Sequence, residues 1–224
     1  MSSKVTDAPT QIQTPVTKVA PGTLFVVSSP SGGGKGTLIR RVLDTVPNLS
    51  YSVSYTTRTP RNGEVHGREY FFVNRETFEA MVRANEFLEW ALVHGNLYGT
   101  ARQQVALETA AGTDIILEVD VQGAASIRNL TMDTVSVFIL PPSYEILRRR
   151  LVARGTDSPE QLALRMKNAP EELRQYSSFD YVIINDDVER AAHQLASIIY
   201  SERARSERQG PIVQEVIENF KSVE

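Results

Sequence analysis

Cysteine is absent from this chain of 224 residues. Its absence excludes disulfide bonds, thiolate metal sites and a cysteine nucleophile, and it fits a reducing compartment. Long apolar runs are absent as well, since none approaches the ~20 residues that a membrane-spanning helix needs. Residues 1–20 have neither the basic start nor the apolar core of a signal peptide. From these absences we expect a cytoplasmic protein without membrane contact.

The chain also lacks an excess of positive charge. It carries 24 lysines and arginines against 27 aspartates and glutamates, which gives a formal net charge of -3. This balance argues against nucleic acid as a partner, so any phosphate binding must be local. The three histidines, His66, His94 and His193, are not spaced as metal ligands, and we expect them to be structural or exposed. No pattern in the sequence indicates an oligomeric state.

The apolar runs predict an α/β fold. Hydrophobic residues make up 41% of the chain, enough for a normal core. Runs bounded by turn-forming residues predict strands that are buried on both faces, and each is followed by a helical pattern. Strands alternating with helices predict a mostly parallel sheet. The predicted strands are Thr23 to Ser28, Ile115 to Asp120, Val135 to Leu140 and Tyr181 to Ile184.

Three stretches depart from this alternation. Residues 1–20 have no periodicity, and we expect a flexible tail. Residues 51–100 carry strand-like alternation with many glycines and aromatics, which predicts a small β-rich insertion. Residues 146–178 are almost entirely helical in pattern, with an N-terminal cap predicted at Ser158-Pro159-Glu160-Gln161 and an interruption at Pro170. We interpret this last segment as a mobile lid.

A glycine-rich loop, S-S-P-S-G-G-G-K-G-T at residues 28–37, follows the first predicted strand and precedes a helical pattern. Such a loop turns backbone N–H groups toward an anion, and Lys35 adds a charge that can follow the β- and γ-phosphates. The strict phosphate-loop pattern is broken twice, by Ser29 and by Gly36, and Thr37 offers a hydroxyl one residue late. The alternative interpretation is a glycine-rich turn with a surface lysine. Magnesium ligation in this loop therefore falls to Thr37 or to water.

A second set of residues suggests another phosphate site. Arg58 and Arg61 bracket a Thr-Pro turn, so their guanidinium groups can converge on one phosphate, and Tyr70 adds a neutral hydroxyl. We interpret this set as a clamp for the phosphate of an acceptor. Two solvated arginines in a hairpin are the alternative.

Residues 22–202 resemble guanylate kinase. The resemblance rests on the glycine-rich loop and on the segments S-Y-T-T-R-T-P-R-N-G-E-V-H-G-R-E-Y, N-E-F-L-E-W-A-L-V-H-G-N-L-Y-G-T, I-L-E-V-D-V-Q-G, A-R-G-T and I-N-D-D. It implies phosphoryl transfer from ATP to GMP with Mg²⁺, on a phosphate-loop (P-loop) nucleoside triphosphate hydrolase-like three-layer core. The implied parts are a core domain (21–53, 101–145 and 179–224), a GMP-binding domain (54–100) and a helical lid (146–178).

The resemblance also implies a role for individual residues. ATP would be bound by Ser29, Pro30, Ser31, Gly32, Gly33, Gly34, Lys35, Gly36 and Thr37. The GMP phosphate would contact Arg58, Arg61, Tyr70 and Tyr98, and the guanine Ser54, Glu89, Thr100 and Asp120. The catalytic residues would be Lys35, Arg58, Arg154 and Arg165, with Arg150 as a further candidate.

Two positions depart from the family. Glu118 stands near the metal and the transferred phosphate, where aspartate is usual, and Thr100 stands where serine is common. Isolated, Glu89 could be an ordinary surface acid, and Asp120 could simply cap a helix. Adenine lacks the donors that guanine presents at N1 and N2, so it would leave a buried Glu89 unpaired, which is costly.

Two other functions compete with an active kinase. Scaffold proteins carry guanylate kinase-like modules that only bind partners, but these tend to lose the loop lysine and the lid arginines, and Lys35, Arg154 and Arg165 are present here. A kinase acting on another phosphorylated acceptor, such as a ribose phosphate, would have no use for the set of polar residues around the base.

Overall fold

The computed structural model describes residues 20–93, 95–130, 133–155 and 158–221. Apart from Ala20, the predicted flexible tail lies outside these ranges. The strands are β1 (Leu24–Ser28), β2 (Leu49–Tyr51), β3 (Tyr55–Thr56), β4 (Phe71–Phe72), β5 (Phe87–Val93), β6 (Asn96–Ala101), β7 (Asp114–Glu118), β8 (Thr134–Leu140) and β9 (Tyr181–Ile184). The helices are α1 (Lys35–Thr45), α2 (Arg75–Arg83), α3 (Arg102–Ala110), α4 (Val121–Arg128), α5 (Tyr144–Arg154), α6 (Pro159–Arg174), α7 (Val188–Arg203) and α8 (Ser206–Lys221), with a 3-10 turn at Gln175–Ser178.

A parallel sheet with strand order β2-β7-β1-β8-β9 forms the centre of the molecule. Successive side chains of β1 point to opposite faces, as strand geometry requires. Phe25 and Val27 pack with buried residues of α1 and α7, while Leu24 and Val26 pack with buried residues of α3 and α4. Burial of each such side chain stabilises the fold by roughly 1.5–3 kcal/mol. The predicted three-layer α/β core is confirmed.

The strand bounds differ slightly from the predicted ones. β1 begins at Leu24, and β8 begins at Thr134. β7 ends at Glu118 instead of Asp120, because the Asp120 side chain accepts a hydrogen bond from the backbone of Gly123 and caps α4.

The last strand of the sheet was predicted with the right bounds and the wrong environment. β9 lies at the edge of the sheet, beside β8 alone. Ile183 is buried, but the side chains of Val182 and Ile184 are 43% and 53% exposed. The continuous apolar run therefore did not indicate burial on both faces here.

The segment between β2 and α3 forms a separate small sheet with strand order β4-β3-β6-β5. Helix α2 begins at the capping residue Asn74 and buries Phe78 against this sheet. The Phe78 ring stacks on Phe87 with 4.4 Å between centroids. The small sheet thus has a core of its own.

Helices α5 and α6 pack on each other through Leu147, Leu151, Met166 and Ala169. The predicted cap of α6 is confirmed, since Ser158 and Gln161 form a reciprocal capping box. The predicted interruption at Pro170 is wrong, because α6 continues through it to Arg174. Burial of the Met166–Ala169 turn against α5 offsets the backbone hydrogen bond that proline cannot make.

The chain after β9 forms two helices. Helix α7 runs to Arg203 and is followed by α8, which the sequence analysis did not anticipate. Arg203 and Arg208 both contact the buried carboxylate of Asp114, at 2.7 and 3.5 Å. Of the helices in the described ranges, none is long and apolar enough to cross a bilayer.

Candidate active site

A cleft of about 560 Å³ lies at the carboxyl ends of the parallel strands β1 and β7. This edge of an open α/β sheet is where ligands usually bind, because loops and helix N-termini converge there. Three parts of the chain line the cleft: the loop after β1, the small sheet, and helices α5 and α6. We call residues 28–37 the donor loop, and we call Ser54, Arg58, Arg61, Tyr70, Glu89, Tyr98, Thr100 and Asp120 together the acceptor pocket.

The donor loop depends on glycine for its conformation. Gly32 and Gly34 have φ angles of 88° and 97°, in the left-handed region that side chains disfavour. A β-carbon on Gly34 would also lie 2.2 Å from Nδ2 of Asn185. Gly33 donates its N–H to the carbonyl of Pro30 at 2.9 Å, which closes the turn.

Helix α1 begins at Lys35, directly after the loop. Its N-cap is Gly34, which offers no side chain to accept from the first N–H groups, and the first turn holds no acidic residue. Those N–H groups and the positive end of the helix dipole face the cleft together with Lys35. This arrangement binds anions such as the phosphates of a nucleotide.

Asn185 connects the end of β9 to the donor loop, which the sequence analysis did not foresee. Its Nδ2 donates to the carbonyl of Gly33 at 2.9 Å. Arg150 donates to the carbonyl of Asn185 at 2.8 Å and to that of Gly33 at 3.4 Å. Asp187 alone caps α7. The sequence N-D-D at residues 185–187 therefore holds more polar residues than the cap requires, and this surplus was a signal that Asn185 has another role.

Helix α6 reaches the donor loop at Ser31. Arg165 Nη1 donates to the Ser31 hydroxyl, and the Glu172 carboxylate accepts from the Ser31 backbone N–H at 3.3 Å. Arg154 is the last residue of α5, and its side chain lies outside the described part of the structure. The loop and the helices predicted as a lid are therefore in contact.

Arg58 and Arg61 lie on the opposite side of the cleft and share Glu64. Arg58 Nη2 donates to Glu64 Oε1 at 2.9 Å, and the backbone N–H of Arg61 donates to Oε2 at 2.7 Å. Burial raises the pKa of Glu64, but the hydrogen bonds from Arg58 and Arg61 outweigh it and lower the pKa below its usual value. Glu64 had no role in the sequence analysis, and in the structure it orients this arginine turn.

Two tyrosines stand beside Arg58. The ring centroids of Tyr70 and Tyr98 are 5.8 Å apart, and the Arg58 guanidinium lies over the Tyr70 ring at 5.4 Å. Burial, followed by the charge of Glu118, raises the pKa of Tyr70 well above its ordinary value. The hydroxyl therefore stays protonated and can donate to a phosphate oxygen.

Glu89 lies at the floor of the acceptor pocket, and Thr100 lies behind it. They face each other across β5 and β6, and their side chains are 7% and 0% exposed. The Thr100 hydroxyl donates to Glu89 Oε1 at 2.7 Å. Burial, helped by the charge of Asp120, raises the pKa of Glu89 to about 7, although the Thr100 bond lowers it. Glu89 is thus no ordinary surface acid.

Asp120 and Gly123 complete the pocket beside Glu89. Asp120 Oδ1 accepts from the Gly123 backbone at 2.9 Å and caps α4. Because the cap uses one oxygen, the second is the one that can serve the cleft. A β-carbon on Gly123 would lie 3.0 Å from Glu89 Oε2. Gly123, which the sequence analysis did not single out, makes room for the Glu89 carboxylate.

Glu118 and the donor loop are the parts of the cleft that could hold a magnesium ion. Mg²⁺ binds through one or two carboxylates together with the phosphates of its nucleotide and water. The Glu118 carboxylate faces the loop, 3.6 Å from where a β-carbon on Gly36 would stand, and Thr37 lies in the first turn of α1. In the described ranges no three histidines or acids cluster as metal ligands.

Most of the predicted site residues line this one cleft. Pro30 and Thr100 do not line it, because Pro30 supports the loop turn and Thr100 lies behind Glu89. Of the predicted histidines, His66 accepts a hydrogen bond from the backbone of Phe72, and His94 lies outside the described ranges. The predicted residues that line the cleft are Ser29, Ser31, Gly32, Gly33, Gly34, Lys35, Gly36, Thr37, Ser54, Arg58, Arg61, Tyr70, Glu89, Tyr98, Asp120, Arg150 and Arg165.

Comparisons with known proteins agree with one another. A family model described as guanylate kinase matches residues 22–202. Guanylate kinases from Symbiobacterium thermophilum and Geobacter sulfurreducens are 50% and 48% identical to the chain, covering 88% and 87% of it and 93% and 96% of their own lengths. The crystal structure of guanylate kinase from Anaplasma phagocytophilum matches with a TM-score of 0.72 at 35% identity, over 86% of this chain and 91% of that one. The matched residues 22–202 include all residues that line the cleft.

Proposed function

The chain belongs to the guanylate kinase family and transfers the γ-phosphoryl group of ATP to GMP, and we propose that its cleft divides this work between the donor loop and the acceptor pocket. The products are ADP and GDP. The observation that carries the division is that one cleft holds a glycine loop with Lys35 on one side and the arginine turn with Glu89 on the other.

On the donor side, Ser29 to Thr37 hold the phosphates of ATP. Backbone N–H groups of the loop and of the first turn of α1 surround the phosphates without needing side chains. Lys35 lies at the start of the helix and neutralises charge on the β- and γ-phosphates as the bond to the leaving group breaks.

On the acceptor side, Arg58, Arg61, Tyr70 and Tyr98 hold the GMP phosphate. A phosphate oxygen is already an anionic nucleophile near neutral pH, so it needs no general base. These four side chains align it with the γ-phosphorus and reduce the repulsion between two anions. Arg58 therefore serves both binding and catalysis.

The guanine is recognised by Ser54, Glu89, Thr100 and Asp120. The Glu89 carboxylate accepts from the donors that guanine presents at N1 and N2, and Thr100 keeps that carboxylate in place. Adenine would leave the buried carboxylate with Thr100 but without the two donors that guanine supplies, at a cost of about 1–3 kcal/mol or more for a charged group. Guanine is then selected over adenine because adenine lacks the donors at N1 and N2.

The domain division that we propose follows these contacts. Residues 54–100 form the GMP-binding domain, residues 146–178 the lid, and residues 21–53, 101–145 and 179–224 the core. Closure of the lid brings Arg154 and Arg165 to the transferred phosphoryl group and excludes water from it. Arg165 already contacts the donor loop at Ser31.

We further propose that Mg²⁺ accompanies ATP, with Thr37 and Glu118 as the residues nearest to it. Bound there, the ion would neutralise charge on the phosphates. The net charge of -3 and the absence of cysteine suit a cytoplasmic enzyme whose partners are its two nucleotides rather than nucleic acid.

A coupled assay for ADP formation tests the proposal. GMP should support turnover, and AMP should support almost none at the same concentration. Equal rates with the two nucleotides would overturn the base-reading role of Glu89. Tight GMP binding without any ADP formation would instead favour a binding module.

A further inference from the structure

Gly36 gives the donor loop no hydroxyl at the position after the lysine. In the strict phosphate-loop pattern the residue after the lysine carries a hydroxyl that serves the magnesium ion. Gly36 has no side chain, and the carboxylate of Glu118 lies beside it. A β-carbon on Gly36 would lie 3.6 Å from Oε2 and 3.8 Å from Oε1. The position that a side chain at residue 36 would occupy is thus next to the Glu118 carboxylate.

Tyr51 contacts that carboxylate from the neighbouring strand. β2 pairs with β7 in parallel, with Tyr51 beside Ile116, so the tyrosine side chain can reach forward to Glu118. Its hydroxyl donates to Glu118 Oε2 at 3.3 Å. This hydrogen bond joins the carboxylate at the end of β7 to the neighbouring strand β2.

We propose that Tyr51 is a positioning residue that holds the Glu118 carboxylate beside Gly36, where it supplies the metal-side oxygen that position 36 lacks. The inference rests on the proposed use of Mg²⁺. A glutamate side chain has three torsion angles, and a carboxylate that serves an ion needs a partner to restrict them. Tyr51 is that partner, and it lies outside both the donor loop and the acceptor pocket.

The test compares two Tyr→Phe variants. Tyr51→Phe removes the hydroxyl that contacts Glu118. Tyr181→Phe is the matched control, because Tyr181 donates to Glu202 at 2.5 Å, and neither residue lines the cleft. Mn²⁺ binding to the enzyme–ADP complex is measured by electron paramagnetic resonance, and kcat is measured as a function of Mg²⁺ concentration.

For Tyr51→Phe we expect Mn²⁺ binding to weaken by about tenfold and the Mg²⁺ concentration for half-maximal kcat to rise in parallel. The KM for GMP should stay unchanged, and Tyr181→Phe should match the wild type in all three quantities. A Tyr51→Phe variant that behaves like Tyr181→Phe would overturn the inference. A wild type that turns over without a divalent ion would overturn both the inference and the proposed use of Mg²⁺.

A second variant tests whether the carboxylate stands in for a hydroxyl. Gly36 lies within α1 and has no positive φ, and a β-carbon there meets Glu118 at ordinary contact distance, so serine fits. Added to Tyr51→Phe, Gly36→Ser should recover most of the lost Mn²⁺ binding. No recovery would overturn the claim that Glu118 replaces the missing oxygen.

Discussion

The donor loop and the acceptor pocket face the same cleft, but the loop uses backbone groups whereas the pocket uses side chains. The donor loop presents backbone N–H groups, and the glycines at 32 and 34 allow the conformation that does so. The acceptor pocket presents side chains, and Glu89 and Thr100 among them are buried. A loop of backbone groups recognises any polyphosphate, whereas a pocket of side chains selects one base and one phosphate.

The two sides also differ in their effect on stability. Backbone groups in the donor loop require no buried charge. In the acceptor pocket, Glu89 is only 7% exposed and its pKa is raised to about 7, which means that its charged form is unfavourable in the folded protein. Selectivity is thus obtained at some cost to the stability of the free enzyme.

We expect the largest effect from Lys35, the charged side chain of the donor loop. Lys35→Ala should lower kcat by a factor on the order of 10²–10³, because a charge that stabilises the transition state is lost. GMP affinity, measured by calorimetry, should be nearly unchanged. Arg41→Ala is the control, since Arg41 lies on the same helix in an exposed pair with Glu189. A parallel loss of GMP affinity would break the division between the two sides.

Arg58→Ala should act on the acceptor side, with GMP binding weakened by about 10²-fold. The variant also leaves Glu64 without its guanidinium partner. Affinity for ATP should stay within about twofold, as judged by titration of each nucleotide alone. Arg75→Ala, in an exposed pair with Glu79 on α2, is the control within the small sheet region. Weaker ATP binding with unchanged GMP binding would contradict our assignment of the clamp.

Glu89→Gln should weaken GMP binding by about tenfold at pH 8. In the wild type, GMP affinity should rise by about tenfold from pH 6 to pH 8, since Glu89 with a pKa of about 7 must be ionised to accept from guanine. The variant should keep only the part of that pH dependence that belongs to GMP itself. Identical pH profiles for the two proteins would show that Glu89 does not accept from the base.

The smallest effect should be a gain in stability for the same Glu89→Gln variant. Because the folded pKa of Glu89 is raised above the ordinary value of 4.5, the stability that this residue contributes is greatest below pH 4.5 and is lost as pH rises to about 7. At pH 8 the variant should be more stable by about 1–3 kcal/mol, and near pH 5 the difference should be much smaller. Urea unfolding at both pH values measures it, and a variant less stable at pH 8 would contradict the cost assigned to the buried charge.

Much of the fold could be predicted from the sequence because its strands are short apolar runs bounded by turn residues. The donor loop was found for a similar reason, since its residues are contiguous. The burial of β9 was harder to predict, because its apolar run lies at the edge of the sheet. The continuity of α6 was also missed, because packing against α5 supports the helix through Pro170.

The contacts of the supporting residues could not be predicted, because most of them join residues that are distant in sequence. Asn185 contacts Gly33, and Tyr51 contacts Glu118. Glu64 is nearer to its arginines, but its contact depends on how the turn folds. No local pattern records such pairs, and the folded structure is needed to see them.

A crystal structure of the enzyme with GMP bound would show directly how the cleft is divided. We expect the phosphate to lie among Arg58, Arg61, Tyr70 and Tyr98, and the N1 and N2 donors of guanine to face the Glu89 carboxylate. A guanine whose N1 and N2 edge contacts other residues, or a GMP phosphate that lies in the donor loop, would contradict this expectation.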